Sequence, residues 1–195
     1  MQSSTDFAEV VTRYRNRLNQ AIEGLDENEI DQFALELLGA RQRGSTIFLA
    51  GNGGSASTVN HYAIDWALGT EVDNPPFRVL SLSDSVASLS ATGNDKTFDV
   101  VFARPLRRLG EEGDVLVVVS ASGNSPNLLA AVSVAREKGV RVVAVTGFDG
   151  GKLKSLADVS VHIPTAPGDY GVAEDLHLSV GHIIKEMLIA AVGIE

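Results

Sequence analysis

His61 and Asp65 stand four residues apart, the spacing that puts two side chains on one side of a helix. Further along, Glu174, Asp175, His177 and His182 crowd a second helix-like stretch. Imidazole and carboxylate are groups that move protons near neutral pH or bind divalent ions. Taken alone, each cluster also has a plainer reading. A His and an acid at this spacing make an ordinary surface pair worth a few tenths of a kcal/mol. Acids such as Glu174 and Asp175 are natural near a helix N-terminus.

The company these residues keep changes the balance. Ile47-Phe48-Leu49-Ala50 runs into Gly51-Asn52-Gly53-Gly54-Ser55, just ahead of His61. Val115 to Val119 runs into Ser120-Ala121-Ser122-Gly123-Asn124-Ser125-Pro126. Each loop follows a strand-like run and leads into a helix-like one. Backbone N–H groups at a helix start, with hydroxyls beside them, suit an anion such as phosphate. Two such loops in one chain point to a phosphorylated small molecule.

Positioning these groups requires alternating elements. Strand-like runs fall at 45–50, 77–82, 114–119, 140–146 and 158–163, and helix-like segments at 56–68, 84–92, 98–109, 125–138 and 171–191. Continuous β-branched runs read as strands buried on both faces of a parallel sheet. The alternation predicts a doubly wound α/β fold with a five-stranded parallel sheet, its ligand site beyond the carboxyl ends of the strands. Two amphipathic helices, 6–23 and 26–43, precede the first strand, with Phe7, Val10, Val11, Tyr14 and Leu18 on one stripe. They are packing elements or an oligomer interface. Asp26 and Glu29 have capping-box spacing for the second helix. No linker or low-complexity stretch divides the chain, so one domain is expected: residues 1–43 as a helical pair and 44–195 as the α/β core.

Composition narrows the classes. The chain has 195 residues, 44% of them hydrophobic, which suits a packed globular protein. A net charge of −9 argues against general nucleic-acid binding and means that an anion must be captured locally. Cysteine is absent, which excludes disulfides, thiolate catalysis and thiolate zinc sites. Without a transmembrane-length run or a secretory pattern at the N-terminus, no membrane association and a cytoplasmic location are expected.

Gly51 to Ala56 also satisfies G-x-G-x-x-A, the dinucleotide fingerprint. That reading needs an acid at the end of the second strand, and Asp84 comes late for it. It also leaves the second serine-rich loop unexplained.

Together the motifs resemble the SIS (sugar isomerase) domain family, and more closely its phosphoheptose isomerases. The resemblance rests on Gly51-Asn52-Gly53-Gly54-Ser55-Ala56, on His61 with Asp65, on Gly93-Asn94-Asp95 and on Ser120 to Asn127. It continues through Ala135-Arg136-Glu137-Lys138-Gly139, Thr146 to Leu153 and the His177 to His182 stretch. It implies a flavodoxin-like strand order and a ketose-to-aldose isomerase. Sedoheptulose 7-phosphate would become D-glycero-D-manno-heptose 7-phosphate through an enediol, in a homotetramer with active sites between subunits. By the same resemblance Ser55, Ser120, Ser122 and Ser125 hold the phosphate, with backbone help at Gly53 and Asn124. Asn52 and Asp95 meet sugar hydroxyls. His61, Asp65, Glu174 and His182 ligate zinc or another divalent ion, Glu174 also touching substrate, and Asp65 and His182 transfer protons. His177 cannot share the face of His182 and reads as structural or subunit-facing; His162 has no motif support.

The chain departs from the family at the sugar end. Asp65 stands where Glu is usual, and Glu174 where Gln is usual; a shorter acid and an added charge read as a compensating pair. Val172-Ala173-Glu174-Asp175 replaces Arg-Ile-Gln-Glu, Gly69 replaces an Arg and Ala121 a Thr. Two alternatives follow: an isomerase of another ketose phosphate, or a non-catalytic regulatory protein that binds a replication initiator. Retention of both Asp65 and His182 counts against the second.

Overall fold

The computed structural model describes residues 7–193. Five strands form one parallel sheet: β1 (Thr46–Gly51), β2 (Arg78–Ser81), β3 (Val115–Ser120), β4 (Arg141–Thr146) and β5 (Val159–His162), in the order β2-β1-β3-β4-β5. This is the flavodoxin-like order. The register aligns Gly51 at the end of β1 with Val119 near the end of β3, so their following loops emerge side by side. β3 is buried along its whole length, as its run of β-branched residues predicts, while β2 at the edge is only partly covered.

The strands alternate their side chains between two cores. On one face, Ile47 and Leu49 pack with α1 (Phe7–Glu23), α2 (Glu27–Arg43), α3 (Gly53–Ala67) and α8 (Tyr170–Val192), around Phe33, Tyr62, Trp66 and Leu176. On the other, Phe48 and Ala50 meet α5 (Ala103–Leu109), α6 (Pro126–Lys138) and α7 (Gly151–Leu156), with α4 (Val86–Asp95) beside them. α3 and α8 share a face, which brings the two titratable clusters of the sequence into register.

Several local expectations change. The continuous helix expected over 98–109 is broken into a 3-10 turn, Phe98–Val100, and α5. Pro105 supplies the reason: it has no N–H to donate in a helix interior but is tolerated in the first turn of α5. The six residues of α7 carry too little periodicity to be read from sequence. Asp26 does cap α2, but its carboxylate accepts from the Asn28 N–H at 2.9 Å. Glu29 does not close a capping box; its carboxylate accepts the His162 N–H at 2.7 Å and ties α2 to β5. On α1, Tyr14 and Leu18 pack against the core, whereas Phe7, Val10 and Val11 are exposed.

Candidate active site

α3 begins directly after β1, so its first turn carries Gly53 to Ser55 and its later turns carry His61 and Asp65. α8 runs across it. The Trp66 indole N–H donates to the Gly181 carbonyl at 3.2 Å, and the Tyr62 hydroxyl donates to the His177 carbonyl. These buried ties fix the crossing. His61 neighbours Tyr62 and His182 neighbours Gly181, so the two imidazoles meet: their Nε2 atoms are 3.1 Å apart, with ring centroids 5.1 Å apart.

Asp65 completes the group. Its Oδ2 lies 3.4 Å from His61 Nε2 and 3.7 Å from His182 Nε2, while its Oδ1 receives the Lys185 ammonium at 3.3 Å. The histidines are exposed, and the Asp65 side chain is largely buried between them. Two imidazole nitrogens at this separation either share a proton or face a common cation. Around a tetrahedral zinc with bonds of about 2.0–2.1 Å, ligand atoms sit roughly 3.3 Å apart. The three observed separations bracket that value, so His61, Asp65 and His182 fit a divalent ion.

Glu174 stands elsewhere. Among the described residues it is not part of the His61–Asp65–His182 group. Its carboxylate packs on Gly54 in the first turn of α3 and lines a cavity of about 150 Å³ with Asn52, Ser55, Ser120, Ser122 and Ser125. The serine-rich loops thus converge as their motifs imply, with an acid at their rim. Larger clefts exist, such as one beside Arg17 and Asp169, but that pair is already joined by a 2.8 Å ion pair and none of the loop serines lines it.

Within the cavity the polar groups differ in freedom. Ser120 is buried and its hydroxyl accepts the Gly123 N–H at 3.1 Å, shaping the second loop. Ser122 accepts the Asn124 N–H at 3.3 Å. Asn124 spends its own side chain on the Ser122 carbonyl and the Lys152 N–H, binding the loop to α7. Asn52 forms a reciprocal amide pair with Asn127, at 2.9 and 2.8 Å, which clasps the two loops together. Asn127 is the clasp that motif reading passed over, although it closes the Ser120 to Asn127 run. Ser55 and Ser125 have no side-chain hydrogen-bond partner among the described residues. Asp95, at the exposed end of α4, bonds the neighbouring Asn94 and does not line the cavity.

The remaining titratable residues hold the frame. His177 is fully buried, which answers the choice between structure and subunit contact in favour of structure; burial pushes its pKa down to about 4. His162 lies between the Lys154 ammonium at 2.8 Å and the Phe148 carbonyl at 3.1 Å. The Tyr14 hydroxyl donates to Asp175 at 2.6 Å, joining α1 to α8, and that bond to a carboxylate pushes its pKa up to about 12. Tyr170, which no sequence motif marks, lines the cavity and meets Phe148 edge to face with centroids 5.0 Å apart.

Comparison with known proteins places this arrangement. The SIS domain profile matches residues 10–147. A phosphoheptose isomerase of Escherichia fergusonii is 35% identical over 185 residues, covering 89% of this chain and 94% of the relative. One from Chlorobaculum parvum is 34% identical over 182 residues, covering 92% and 87%. Among solved structures, a phosphoheptose isomerase from Neisseria gonorrhoeae superposes with a TM-score of 0.87 at 30% identity, covering 95% of this chain and 100% of that one. By sequence and fold, this chain belongs to the SIS domain family, in its phosphoheptose isomerase branch.

Proposed function

We propose that the protein converts sedoheptulose 7-phosphate to D-glycero-D-manno-heptose 7-phosphate through an enediol. One observation carries this reading: α3 bears both the first turn of an anion cradle and two members of a His-Asp-His group. Ketose-to-aldose conversion removes a proton from one carbon and returns a proton to its neighbour, while the carbonyl oxygen gains and loses charge. Asp65 and His182 lie 3.7 Å apart: free of metal they are the base and acid of this transfer, and as metal ligands they would hold the ion in place of that role. Ser55 and Ser125, with the N–H groups of the two loops, hold the phosphate. The Asn52–Asn127 clasp keeps the two loops in register for it.

Zinc is the ion assigned to His61, Asp65 and His182; when bound it would polarise the substrate carbonyl. Glu174 reaches this group only by leaving Gly54. Four chains assemble with sites between them, a reading supported by the exposed Phe7, Val10 and Val11 stripe of α1. No described helix is long and apolar enough to cross a membrane; the cytoplasm is the location we propose.

The test is direct. Incubation with sedoheptulose 7-phosphate, followed by proton NMR, should show an aldose signal growing at the expense of the ketose. Asp65→Ala and His182→Ala should each lower the rate by about 10²–10⁴-fold without loss of folding. Full activity in both would overturn the mechanism. Preferential turnover of a different ketose phosphate would assign that substrate instead, as the altered Val172-Ala173-Glu174 stretch allows.

A further inference from the structure

The Asp65 carboxylate divides its two oxygens between different partners. Oδ2 faces the imidazoles of His61 and His182, and Oδ1 meets Lys185 Nζ at 3.3 Å. Lys185 follows His182 by three residues on α8, so the two side chains reach α3 from the same side. Both members of the ion pair are largely withdrawn from solvent, with side-chain exposures of 26% for Lys185 and 15% for Asp65. Its ammonium occupies the space beside Gly69: a Cβ there would lie 2.9 Å from Nζ and 3.1 Å from Cε. The glycine just past α3 therefore leaves room for a lysine that arrives from α8.

We propose that Lys185 is a positioning residue for Asp65. By holding Oδ1 it selects the rotamer in which Oδ2 faces both histidines, and it offsets the charge of a largely buried carboxylate. Aspartate has a shorter stem than glutamate, so a small rotation of its carboxylate moves Oδ2 out of reach of the imidazoles; an outside anchor on Oδ1 prevents that rotation. Partners that orient a metal-binding or catalytic group in this way typically contribute about 10–100-fold in metal affinity or activity. The inference builds on the isomerase reading for its kinetic test, but the geometry of the group stands without it.

The experiment compares wild type, Lys185→Met and Lys185→Arg as full chains. Metal-stripped protein is titrated with cobalt(II), read by its visible absorption, and kcat and KM are measured separately on sedoheptulose 7-phosphate. Lys185→Met should weaken cobalt binding and lower kcat, each by about 10–100-fold. KM and the thermal midpoint should stay close to wild type. Lys185→Arg, which keeps a cation at Oδ1, should recover most of both losses. The proposal is overturned if Lys185→Met matches wild type in cobalt affinity and kcat, or if the arginine variant is as impaired as the methionine one. Should the wild type fail to turn over this sugar, the substrate reading falls, and the cobalt titration alone decides the role of Lys185.

Discussion

Gly181 lies so close to the ring of Tyr62 that a side-chain carbon at 181 would overlap it. This contact sets how near α8 approaches α3, and each residue stands next to one of the paired histidines. Gly181→Ala should therefore push the helices apart. The expected cost is about 1–3 kcal/mol of stability, as for overpacking in a tight core. Chemical denaturation measures the stability. A matching loss of kcat, larger than any change in KM, would show that the His61–His182 separation has widened.

The two loop serines with different internal duties should separate in mutagenesis. Ser125 has its hydroxyl free for ligand, so Ser125→Ala should raise KM for the sugar phosphate about tenfold or more, from a lost bond to a charged group. Its thermal stability should not change. Ser120 also holds the Gly123 N–H. Ser120→Ala should raise KM and in addition lower the denaturation midpoint, because a buried N–H loses its acceptor.

Glu174 puts a negative charge at the rim of the cavity we propose for the phosphate. Glu174→Gln removes the charge and keeps the shape. Inorganic phosphate should then compete several-fold more strongly, read as a lower inhibition constant in the isomerase assay. An unchanged constant would mean that the carboxylate has moved away from Gly54 in solution.

His177 gives the fold a pH dependence of known sign. Its folded pKa is depressed to about 4 by burial, below the ordinary value of 6.5. The unfolded chain therefore binds a proton that the folded chain refuses. The contribution is intact above about pH 6.5 and is lost as pH falls toward 4, on the order of 3 kcal/mol in all. Urea unfolding of metal-free protein between pH 7 and pH 4 should show this loss, and His177→Leu should flatten it.

How much of this was legible beforehand depends on the range of the interaction. β3 could be read from Val115 to Val119 because five adjacent β-branched or aliphatic residues have few other uses. The pairing of His61 with Asp65 followed from helix spacing. The loops were legible because Gly, Ser and Asn at strand ends have a local purpose. Lys185 was not, because nothing in its own helix marks it; its meaning comes from Gly69, more than a hundred residues earlier. Glu29 had the spacing of a cap, yet the backbone N–H of His162 in β5 claims its carboxylate. Glu174 carried a ligand-like motif, but the side chain rests on Gly54, a contact set by the crossing of two helices. Asn127 closed a recognised motif, yet its bond to Asn52 depends on the register of β1 with β3.

α3 has one more consequence. Its first turn holds Ser55, and His61 follows six residues later on the same rigid rod, an axial advance of about 9 Å at 1.5 Å per residue. The helix is thus a gauge. A ligand anchored by its phosphate at one mark must span that interval to present its carbonyl at the other. Shorter sugar phosphates would occupy the cradle as inhibitors without being converted, and the enzyme would measure the carbon chain with a length of its own backbone.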